Sequence, residues 1–322
     1  MTTIKIGVLG CANIADRLVI PAIKALPQYE LLAVASRSAG KAEQLASKYA
    51  CEAIVGYENL VARTDIDAVY IPLPTGMHYH WIKACLTANK HVFCEKSLTE
   101  NLAQTQEIIA LAKQKNLLLM ENFMFEYHSQ HKFVKNLIEK GEIGEIRCFR
   151  SAFGFPPFPD SDNIRYQKSL GGGALLDAAG YTLKAAQLFL GDGLKVQGAF
   201  LKYNEEQGVD IYGGAFLVAE NKAFAELSWG FDNYYQCNYE IWGSKGKIIA
   251  TRAFTAKPGF KPTIILEQQG RNEAYEVAAD NHFENILSNF YDTIQQGYFD
   301  DKYLALLNQS SLLTQVRNNA KS

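Results

Sequence analysis

The stretch of sequence that decides the fold reads IKIGVLGCANIA and spans residues 4–15. An apolar run, Ile4–Leu9, leads directly into a G-x-A-x-x-A turn that begins at Gly10. Small residues in such a turn let the backbone approach a pyrophosphate and let the next helix pack closely on the strand, which is typical of a dinucleotide-binding site. The N–H groups that open this helix are expected to receive the phosphate charge. The predicted cofactor contacts in the turn are Gly10, Cys11, Ala12, Asn13 and Ile14.

Beyond this turn, the first third of the chain alternates apolar runs with helix-length segments. The later runs are Leu31–Ser36, Ala68–Pro72, His91–Cys94 and Leu117–Glu121, and the helical patterns among them include Lys41–Tyr49, Tyr79–Ala88 and Leu102–Gln114. Strands that alternate with helices indicate βαβ units, and runs that are apolar on both faces indicate a sheet that helices cover on both sides. We therefore predict an α/β fold in which residues 1–122 form a dinucleotide-binding Rossmann domain with a doubly wound parallel sheet.

After about residue 122 the pattern changes to strand-like runs that short turns connect. These runs are Ile146–Phe153, Lys195–Tyr203, Ile211–Val218, Ala223–Phe231, Tyr235–Trp242, Lys247–Thr251 and Thr263–Gln268, with helical patterns at Gln130–Lys140, Leu175–Leu190, Phe283–Gln296 and Asp301–Ala320. We predict that residues 123–322 form a C-terminal α+β domain with a large, mostly antiparallel open sheet for substrate binding and oligomerisation. One face of such a sheet needs cover, which a homodimer or homotetramer would supply.

Composition excludes several classes of protein. The 322 residues are 48% hydrophobic and 20% charged, with a formal net charge of −2, so nothing indicates a nucleic-acid partner. No apolar run reaches the ~18 residues of a membrane span. The six cysteines show no C-x-x-C spacing, and the pairs His78-x-His80 and His128-x-x-His131 lack acidic neighbours, so we expect neither disulfides nor a metal. The expected protein is soluble, cytoplasmic and ordered throughout.

The residues that follow the second strand indicate which cofactor is bound. A site specific for NAD places Asp or Glu there, about 20 residues past the glycines, to accept the ribose 2′-hydroxyl. This chain has Ser36 and Arg37 instead, with Lys41 one turn further on. A hydroxyl and cations suit a 2′-phosphate, so we predict NADP(H) rather than NAD(H). The alternative is that Arg37 is a solvated arginine at a strand end.

Two short segments supply candidates for the chemistry. Lys96 follows the strand His91–Cys94, at the carboxyl end where ligands of parallel sheets bind, and it could stabilise negative charge on a substrate oxygen. Asp177 and Tyr181 lie four residues apart on the helix after Gly171-Gly-Gly, so both are expected on one face, where Tyr181 could donate a proton. The alternatives are a surface lysine and a surface Asp–Tyr pair.

At this point the sequence resembles the glucose–fructose oxidoreductase and inositol dehydrogenase (Gfo/Idh/MocA) family over essentially its whole length. The resemblance rests on IGVLGCANIA at 6–15, LPTGMHYHW at 73–81, HVFCEKS at 91–97, ENFMF at 121–125 and LGGGALLDAAGY at 170–181. It implies a nicotinamide-dependent oxidoreductase with a Rossmann domain and a C-terminal domain whose open sheet forms a subunit interface. The lysine of the family's E-K-P motif matches Lys96, and its aspartate and its tyrosine or histidine match Asp177 and Tyr181.

Within the family, the chain is most similar to the sugar-nucleotide 3-ketoreductases of deoxysugar biosynthesis. The stretches that carry this are ENFMF…HSQH at 121–131, FPPFPDSDNIRY at 155–166 and RAFT at 252–255, besides the long glycine-rich segment. These enzymes reduce the C-3 keto group of a dTDP-linked 3,4-diketo-dideoxyhexose with NADPH. Two positions depart from the pattern: Ser97 replaces a proline, and Glu126 stands where many relatives have arginine.

The resemblance leads to a complete expected site. Tyr181 protonates the alkoxide at C-3, Lys96 stabilises its charge, and Asp177 holds the sugar or orients Lys96. Arg165 suits the diphosphate, because its guanidinium can form charge-assisted hydrogen bonds. The alternative is that its loop is a lid that makes no direct contact with the substrate. Pro74, Thr75 and His78 are expected to flank the nicotinamide ribose. The remaining predicted contacts are Pro72, Leu73, Glu95 and Lys96 for the cofactor, and Asn122, Asn163 and Tyr166 for the substrate.

Two other functions fit the same residues. An NADP-dependent dehydrogenase of free sugars or trans-dihydrodiols would keep the fold and run in the oxidative direction. The second alternative is a protein that binds NADPH through its Rossmann domain and has lost catalysis. The presence of Lys96, Asp177 and Tyr181 argues against it.

Overall fold

The chain divides into two units in a computed structural model that describes residues 3–160 and 162–321. One unit consists of Met1–Asn122 and Phe283–Leu307, and the other consists of Phe123–His282 and Asn308–Ser322. The chain therefore crosses from one unit to the other three times.

The first unit contains a six-stranded, wholly parallel sheet with the strand order β3-β2-β1-β4-β5-β6. This is the doubly wound order, with its switch point between β1 and β4. The strands are β1 (Ile4–Leu9), β2 (Tyr29–Ser36), β3 (Glu52–Val55), β4 (Ala68–Ile71), β5 (His91–Cys94) and β6 (Leu119–Glu121). The helices up to residue 122 are α1 (Ile20–Ala25), α2 (Ala39–Tyr49), α3 (Tyr57–Val61), α4 (Thr75–Thr87) and α5 (Leu102–Lys115).

The helix that follows β1 begins with a wider turn. Residues Ala15–Val19 form a π-helical turn that runs into α1, and Pro21 lies in the first turn of α1. A proline is tolerated at a helix start because its missing N–H would have no partner inside the helix.

Two C-terminal helices also belong to the first unit, α8 (His282–Gln296) from Phe283 onward and α9 (Asp300–Asn319) as far as Leu307. Tyr29 Oη donates to the Leu287 carbonyl at 2.7 Å, and Tyr303 Oη donates to the Leu117 carbonyl at 2.6 Å. This differs from the expected domain division, which placed all residues after 122 in the second domain. The sequence predicts two helices here but does not show which sheet they pack on.

The second unit is built on a nine-stranded sheet with the order β14-β13-β12-β11-β7-β10-β9-β8-β15. Neighbouring strands are antiparallel except at β7–β10 and β8–β15, so the predicted mostly antiparallel open sheet is confirmed. The strands are β7 (Ile146–Gly154), β8 (Lys195–Asn204), β9 (Val209–Val218), β10 (Phe224–Gly230), β11 (Gln236–Gly243), β12 (Gly246–Ala250), β13 (Thr263–Gln268), β14 (Arg271–Glu276) and β15 (Ala320–Lys321). The α-helices that lie wholly in this unit's first segment are α6 (Ser129–Glu139) and α7 (Gly180–Leu190), and α7 packs on β7 and β10.

The two faces of this sheet differ. Strand residues alternate between the buried face and an exposed face, on which charged side chains form a network. The Arg150 guanidinium lies 2.6 Å from Glu226 and 3.2 Å from Glu240, and it stacks 5.3 Å from the Trp242 ring. Trp242 is 49% exposed, so about half of its side-chain surface faces solvent.

Candidate active site

The phosphate-binding turn depends on Gly10. Its φ of +135° is a conformation that L residues rarely adopt, and a Cβ there would lie 2.9 Å from the Leu73 side chain. Gly10 therefore packs directly on the loop after β4, and only glycine permits this tight turn, as the first glycine of a dinucleotide-binding turn does. Cys11 Sγ lies 3.6 Å from the Lys41 carbonyl, so the turn is tied to the start of α2.

The end of β2 presents a hydroxyl and two cations. Ser36 is buried, and its Oγ accepts a hydrogen bond from Ser38 N at 3.2 Å. Arg37 and Lys41 are exposed, and no carboxylate replaces them at the strand end. Burial raises the pKa of the neighbouring Tyr57, with the Arg37 cation acting in the opposite direction. The arrangement favours a ligand with additional negative charge, as in a 2′-phosphate.

His78 does not lie where the sequence predicted. Its side chain is fully buried, with Nδ1 2.9 Å from the Ser97 carbonyl and Nε2 2.6 Å from the Leu73 carbonyl. Burial lowers its pKa. The ring therefore cannot flank a ribose; it joins the loop after β4 to the loop after β5. Pro72, Leu73, Pro74 and Thr75 lie on the first of these loops, where α4 begins at Thr75.

Lys96 lies on the loop after β5, and the half-buried Glu95 and the buried Glu121 hold the two sides of that loop. Glu95 Oε1 accepts hydrogen bonds from Tyr70 Oη at 2.7 Å and from Asn122 Nδ2 at 2.6 Å. Burial raises the pKa of Glu95, and these two hydrogen bonds act in the opposite direction. Glu121 Oε1 accepts from Leu98 N at 2.7 Å. The Lys96–Ser97 peptide bond is cis.

Asn122, predicted to contact the substrate, is also buried. Its Nδ2 donates to Glu95, its backbone N donates to the Cys94 carbonyl at 2.7 Å, and its Oδ1 has no hydrogen-bond partner within the described residues. Asn122 therefore positions the loop that carries Lys96. Glu95 plays the same part, since its side chain faces neighbouring strand ends.

In the second unit, the three glycines allow the backbone to approach its neighbours closely. Gly173 has a φ of +113°, and a Cβ there would collide with the Asp210 carboxylate. Asp210 Oδ2 accepts from Leu175 N at 2.6 Å, at the start of the helix that carries Asp177 and Tyr181. Burial raises the pKa of Asp210 to about 6. The sequence analysis missed Asp210, although a single aspartate at the start of the apolar run Ile211–Val218 was a visible signal.

Asp177 and Tyr181 occupy different kinds of helical turn. Asp177 lies in the π-helical turn Leu175–Ala179, whereas Tyr181 lies at the start of α7, so the predicted uniform α-helical spacing is wrong here. The Tyr181 ring is buried against Phe123 and Phe153, at 5.4 Å and 4.9 Å between ring centroids. The second unit thus holds the Tyr181 phenol within an aromatic cluster.

Arg165 pairs directly with Asp177. Its Nε lies 2.6 Å from Asp177 Oδ2, and its guanidinium carbon lies 4.6 Å from the Phe158 ring centroid. Asn163 Oδ1 accepts from Arg165 N at 3.2 Å, and Tyr166 Oη accepts from Phe158 N at 3.1 Å. The loop therefore presents one ordered cation beside a candidate catalytic carboxylate.

The remaining histidine pair, His128 and His131, is buried in the interior of the second unit. His131 is buried, and its Nδ1 lies 3.0 Å from Tyr239 Oη. Burial lowers its pKa to about 3.

Among residues 3–160 and 162–321 there is no group of three or more His, Cys, Asp or Glu side chains that could hold a metal ion. In the same part of the chain, none of the helices combines the length and the apolar character needed to span a membrane.

The fold and these residues define a class. A doubly wound parallel sheet with a small-residue turn after β1 and a lysine after β5, followed by a unit with a carboxylate, a phenol and a cation, is the architecture of a nicotinamide-dependent oxidoreductase. Residues 4–123 match the family described as "Oxidoreductase family, NAD-binding Rossmann fold", and residues 131–249 match the "GFO/IDH/MocA C-terminal domain". The chain belongs to the Gfo/Idh/MocA oxidoreductase family.

Relatives match across nearly the whole chain. A dTDP-3,4-didehydro-2,6-dideoxy-alpha-D-glucose 3-reductase from Saccharopolyspora spinosa is 43% identical, over 97% of this chain and 94% of the relative. The crystal structure of KijD10, a 3-ketoreductase from Actinomadura kijaniata in complex with NADP and TDP-benzene, superposes with a TM-score of 0.96 at 39% identity, over 99% of this chain and 98% of that one. A D-xylose 1-dehydrogenase (NADP(+)) from Haloferax volcanii is 32% identical, over 82% and 81%.

Proposed function

We propose that this enzyme reduces the C-3 keto group of a dTDP-linked 3,4-diketo-dideoxyhexose, with NADPH as the reductant. The observation that carries this proposal is the similarity to 3-ketoreductases over the full length of both units, at higher identity than to the D-xylose dehydrogenase. The exposed cations after β2 agree with NADPH as the cofactor. The same proposal expects a cytoplasmic enzyme that forms a homodimer or homotetramer through the exposed face of the second unit's sheet.

Each candidate residue then has a distinct task. Bound NADPH supplies the hydride. The turn at Gly10 holds the pyrophosphate, while Ser36, Arg37 and Lys41 bind the 2′-phosphate. Lys96 stabilises the negative charge that develops on the C-3 oxygen, and Tyr181 Oη donates the proton that completes the hydroxyl.

Asp177 and Arg165 hold the substrate. Their ion pair fixes both side chains, so Arg165 meets the diphosphate as an ordered cation and Asp177 accepts a hydrogen bond from the sugar. His78 and Glu95 contribute indirectly, because they hold the loops that carry Lys96 and the predicted ribose contacts.

The first test is consumption of NADPH, with NADH alongside, against a dTDP-3,4-diketo-dideoxyhexose that a dehydratase generates in the assay. We expect rapid oxidation of NADPH and a dTDP-4-keto product by mass spectrometry. Silence with this substrate while NADPH still binds would refute the proposal. NADP⁺ with xylose, glucose or a trans-dihydrodiol then tests the alternative dehydrogenase, and binding without any turnover would indicate a non-catalytic protein.

The catalytic roles are tested with Lys96→Ala and Tyr181→Phe, singly and together. Loss of a positioned proton donor costs about 10²–10⁴-fold in rate, so we expect the double variant to lose turnover. Fluorescence titration should show unchanged NADPH binding in Tyr181→Phe, because the ring and its packing remain. A double variant that reduces the keto sugar at the wild-type rate would overturn the assignment.

A further inference from the structure

The loop that joins β12 to β13 in the second unit is held by side chains of α6. Gln130 Nε2 donates to the carbonyl oxygens of Arg252 at 3.2 Å and Ala253 at 3.5 Å. The Ala253 carbonyl oxygen also lies 3.2 Å from His131 Nε2. Because Ala253 is buried, its carbonyl needs a protein donor, and these two side chains supply it.

The two partners of His131 define which ring nitrogen carries the hydrogen. A carbonyl oxygen only accepts, so Nε2 donates to Ala253, and Nδ1 accepts from Tyr239 Oη at 3.0 Å. Burial lowers the pKa of the His131 imidazole to about 3, so the ring is uncharged near neutral pH. One side of the ring is therefore bonded to the loop, and the other side is bonded to β11.

This loop carries Phe254 into the aromatic cluster around Tyr181. The Phe254 ring is fully buried, and its centroid lies 5.7 Å from that of Tyr181. It also lies 5.1 Å from the Phe125 ring and 5.3 Å from the Phe153 ring. Phe125 belongs to a 3-10 helix and Phe153 to β7, whereas Phe254 belongs to neither a helix nor a strand. The position of Phe254 therefore depends on the contacts of its loop.

Both polar groups of the peptide that precedes Phe254 are bonded. The Ala253 carbonyl accepts from the two side chains of α6, and Phe254 N donates to Cys237 Sγ at 3.4 Å. Ala253 N donates to the Cys237 carbonyl at 2.8 Å, which fixes the preceding peptide as well. These bonds set the direction in which the Phe254 side chain leaves the backbone.

We propose that His131 is a positioning residue, whose hydrogen bond to Ala253 sets Phe254 against Tyr181 and thereby holds the phenol where it donates its proton. The proposal rests on the proposed role of Tyr181 as the proton donor. A displacement of about 1 Å at a reacting group can cost about 10²-fold in rate, so a ring that packs on the phenol affects turnover without touching the substrate.

Two substitutions separate the two hydrogen bonds of His131. The amide nitrogen of glutamine reaches about as far as Nε2 and can still donate to Ala253, whereas the amide of asparagine reaches only as far as Nδ1. We expect His131→Asn to lower kcat for the keto sugar by about tenfold or more with KM unchanged, and His131→Gln to retain most of kcat. Tyr239→Phe is the matched control, because it removes the other hydrogen bond of the same ring and should leave kcat unchanged.

The path through Phe254 has its own test. Phe254→Leu should lower kcat as His131→Asn does, and the double variant should be no slower than Phe254→Leu alone, because both changes release the same contact with Tyr181. Phe260→Leu removes a 40% exposed ring from the same loop and is the control. Additive losses in the double variant, or equal losses in His131→Gln and His131→Asn, would overturn the proposal.

A spectroscopic measurement separates this proposal from the reaction on which it rests. Fluorotyrosine in place of Tyr181 reports the packing of this ring by fluorine NMR without substrate. We expect His131→Asn to shift or broaden the resonance, and His131→Gln and Tyr239→Phe to leave it as in the wild type. This pattern would support the positioning role even if the keto sugar is not reduced and the proposed reaction fails. An unchanged resonance in His131→Asn would overturn the role even in an enzyme that reduces the keto sugar.

Discussion

Single side chains in this protein divide into those that can meet a ligand and those that hold the loops that do. Arg37 and Lys41 are exposed at the end of β2, whereas His78 and Asn122 are buried beneath the loops that flank Lys96. The sequence motifs place three of them near the cofactor and Asn122 near the substrate, but they do not show which way each side chain points. Burial separates them, because a fully buried ring with both nitrogens against carbonyl oxygens is not available to a ligand.

The cofactor preference is decided at the residue scale. We expect Arg37→Ala to raise KM for NADPH by about 10–100-fold with little effect on NADH, because a charge-assisted hydrogen bond contributes roughly 1.5–3 kcal/mol. Initial rates with both cofactors test this, and Arg147→Ala, an exposed arginine of the second unit, is the control. Equal losses for NADPH and NADH would contradict the assignment of Arg37 to the 2′-phosphate.

At the scale of elements, the helix that carries Asp177 and Tyr181 depends on Asp210. Its carboxylate accepts from Leu175 N at the helix start, where the helix dipole also favours a negative charge. Burial has the larger effect, since it raises the pKa of Asp210 to about 6. The folded protein therefore holds a proton on Asp210 at pH values where the unfolded chain, with a pKa of about 3.9, has lost it.

The sign of the resulting pH dependence follows from proton linkage. The folded state binds more protons between about pH 4 and pH 6, so the contribution of Asp210 to stability is fully present below pH 4 and is lost as the pH rises through 6. Asp210→Asn has no carboxyl group to titrate at this position, so the variant does not lose this stability as the pH rises. We expect the stability of the variant relative to the wild type to increase from pH 4.5 to pH 7.5, by up to about 3 kcal/mol at about 1.4 kcal/mol per pKa unit.

Urea denaturation across this pH range measures the difference. Asp301→Asn, an exposed residue in the first turn of α9, serves as the control for removal of one carboxylate. Identical pH profiles for wild type and Asp210→Asn would show that Asp210 does not hold its proton in the folded state.

Most elements could be predicted from hydrophobic periodicity, and the exceptions share a physical cause. The strand β3 was missed because it has only four residues, and β14 was missed because most of its residues are polar, such as Arg271 and Asn272. Strands at or near a sheet edge need few apolar contacts, so their sequences resemble loops. The π-helical turn at Leu175–Ala179 was also missed, because its residue types are those of an α-helix.

On the scale of the whole molecule, the exposed face of the nine-stranded sheet is the surface through which we expect the proposed self-association. Phe200 and Phe216 are 45% and 42% exposed, and Trp242 lies beside the network of Arg150, Glu226 and Glu240. Aromatic residues and arginine are enriched in protein interfaces, and a two-fold contact would bury the same patch on both subunits.

We expect Trp242→Glu combined with Phe216→Glu to shift the enzyme from a dimer or tetramer to a monomer, because each change buries a charge in the contact. Size-exclusion chromatography with light scattering measures the mass. Tyr298→Glu is the control, since this aromatic residue is 59% exposed and lies in the first unit. A wild type that is monomeric, or a double variant with unchanged mass, would contradict an interface on this face.

The sequence by itself determined the family, the Rossmann turn and the mostly antiparallel open sheet, and it singled out Lys96, Asp177 and Tyr181 as the candidates for the chemistry. These follow from local patterns, because periodicity and a strand-to-helix turn are properties of neighbouring residues. Only the tertiary structure decided that Phe283–Leu307 belongs to the first unit, that His78 is buried, that Arg165 pairs with Asp177 and that Asp210 caps the helix. Each of these joins residues distant along the chain, and a contact of that kind depends on how whole elements pack rather than on the spacing of the residues within them.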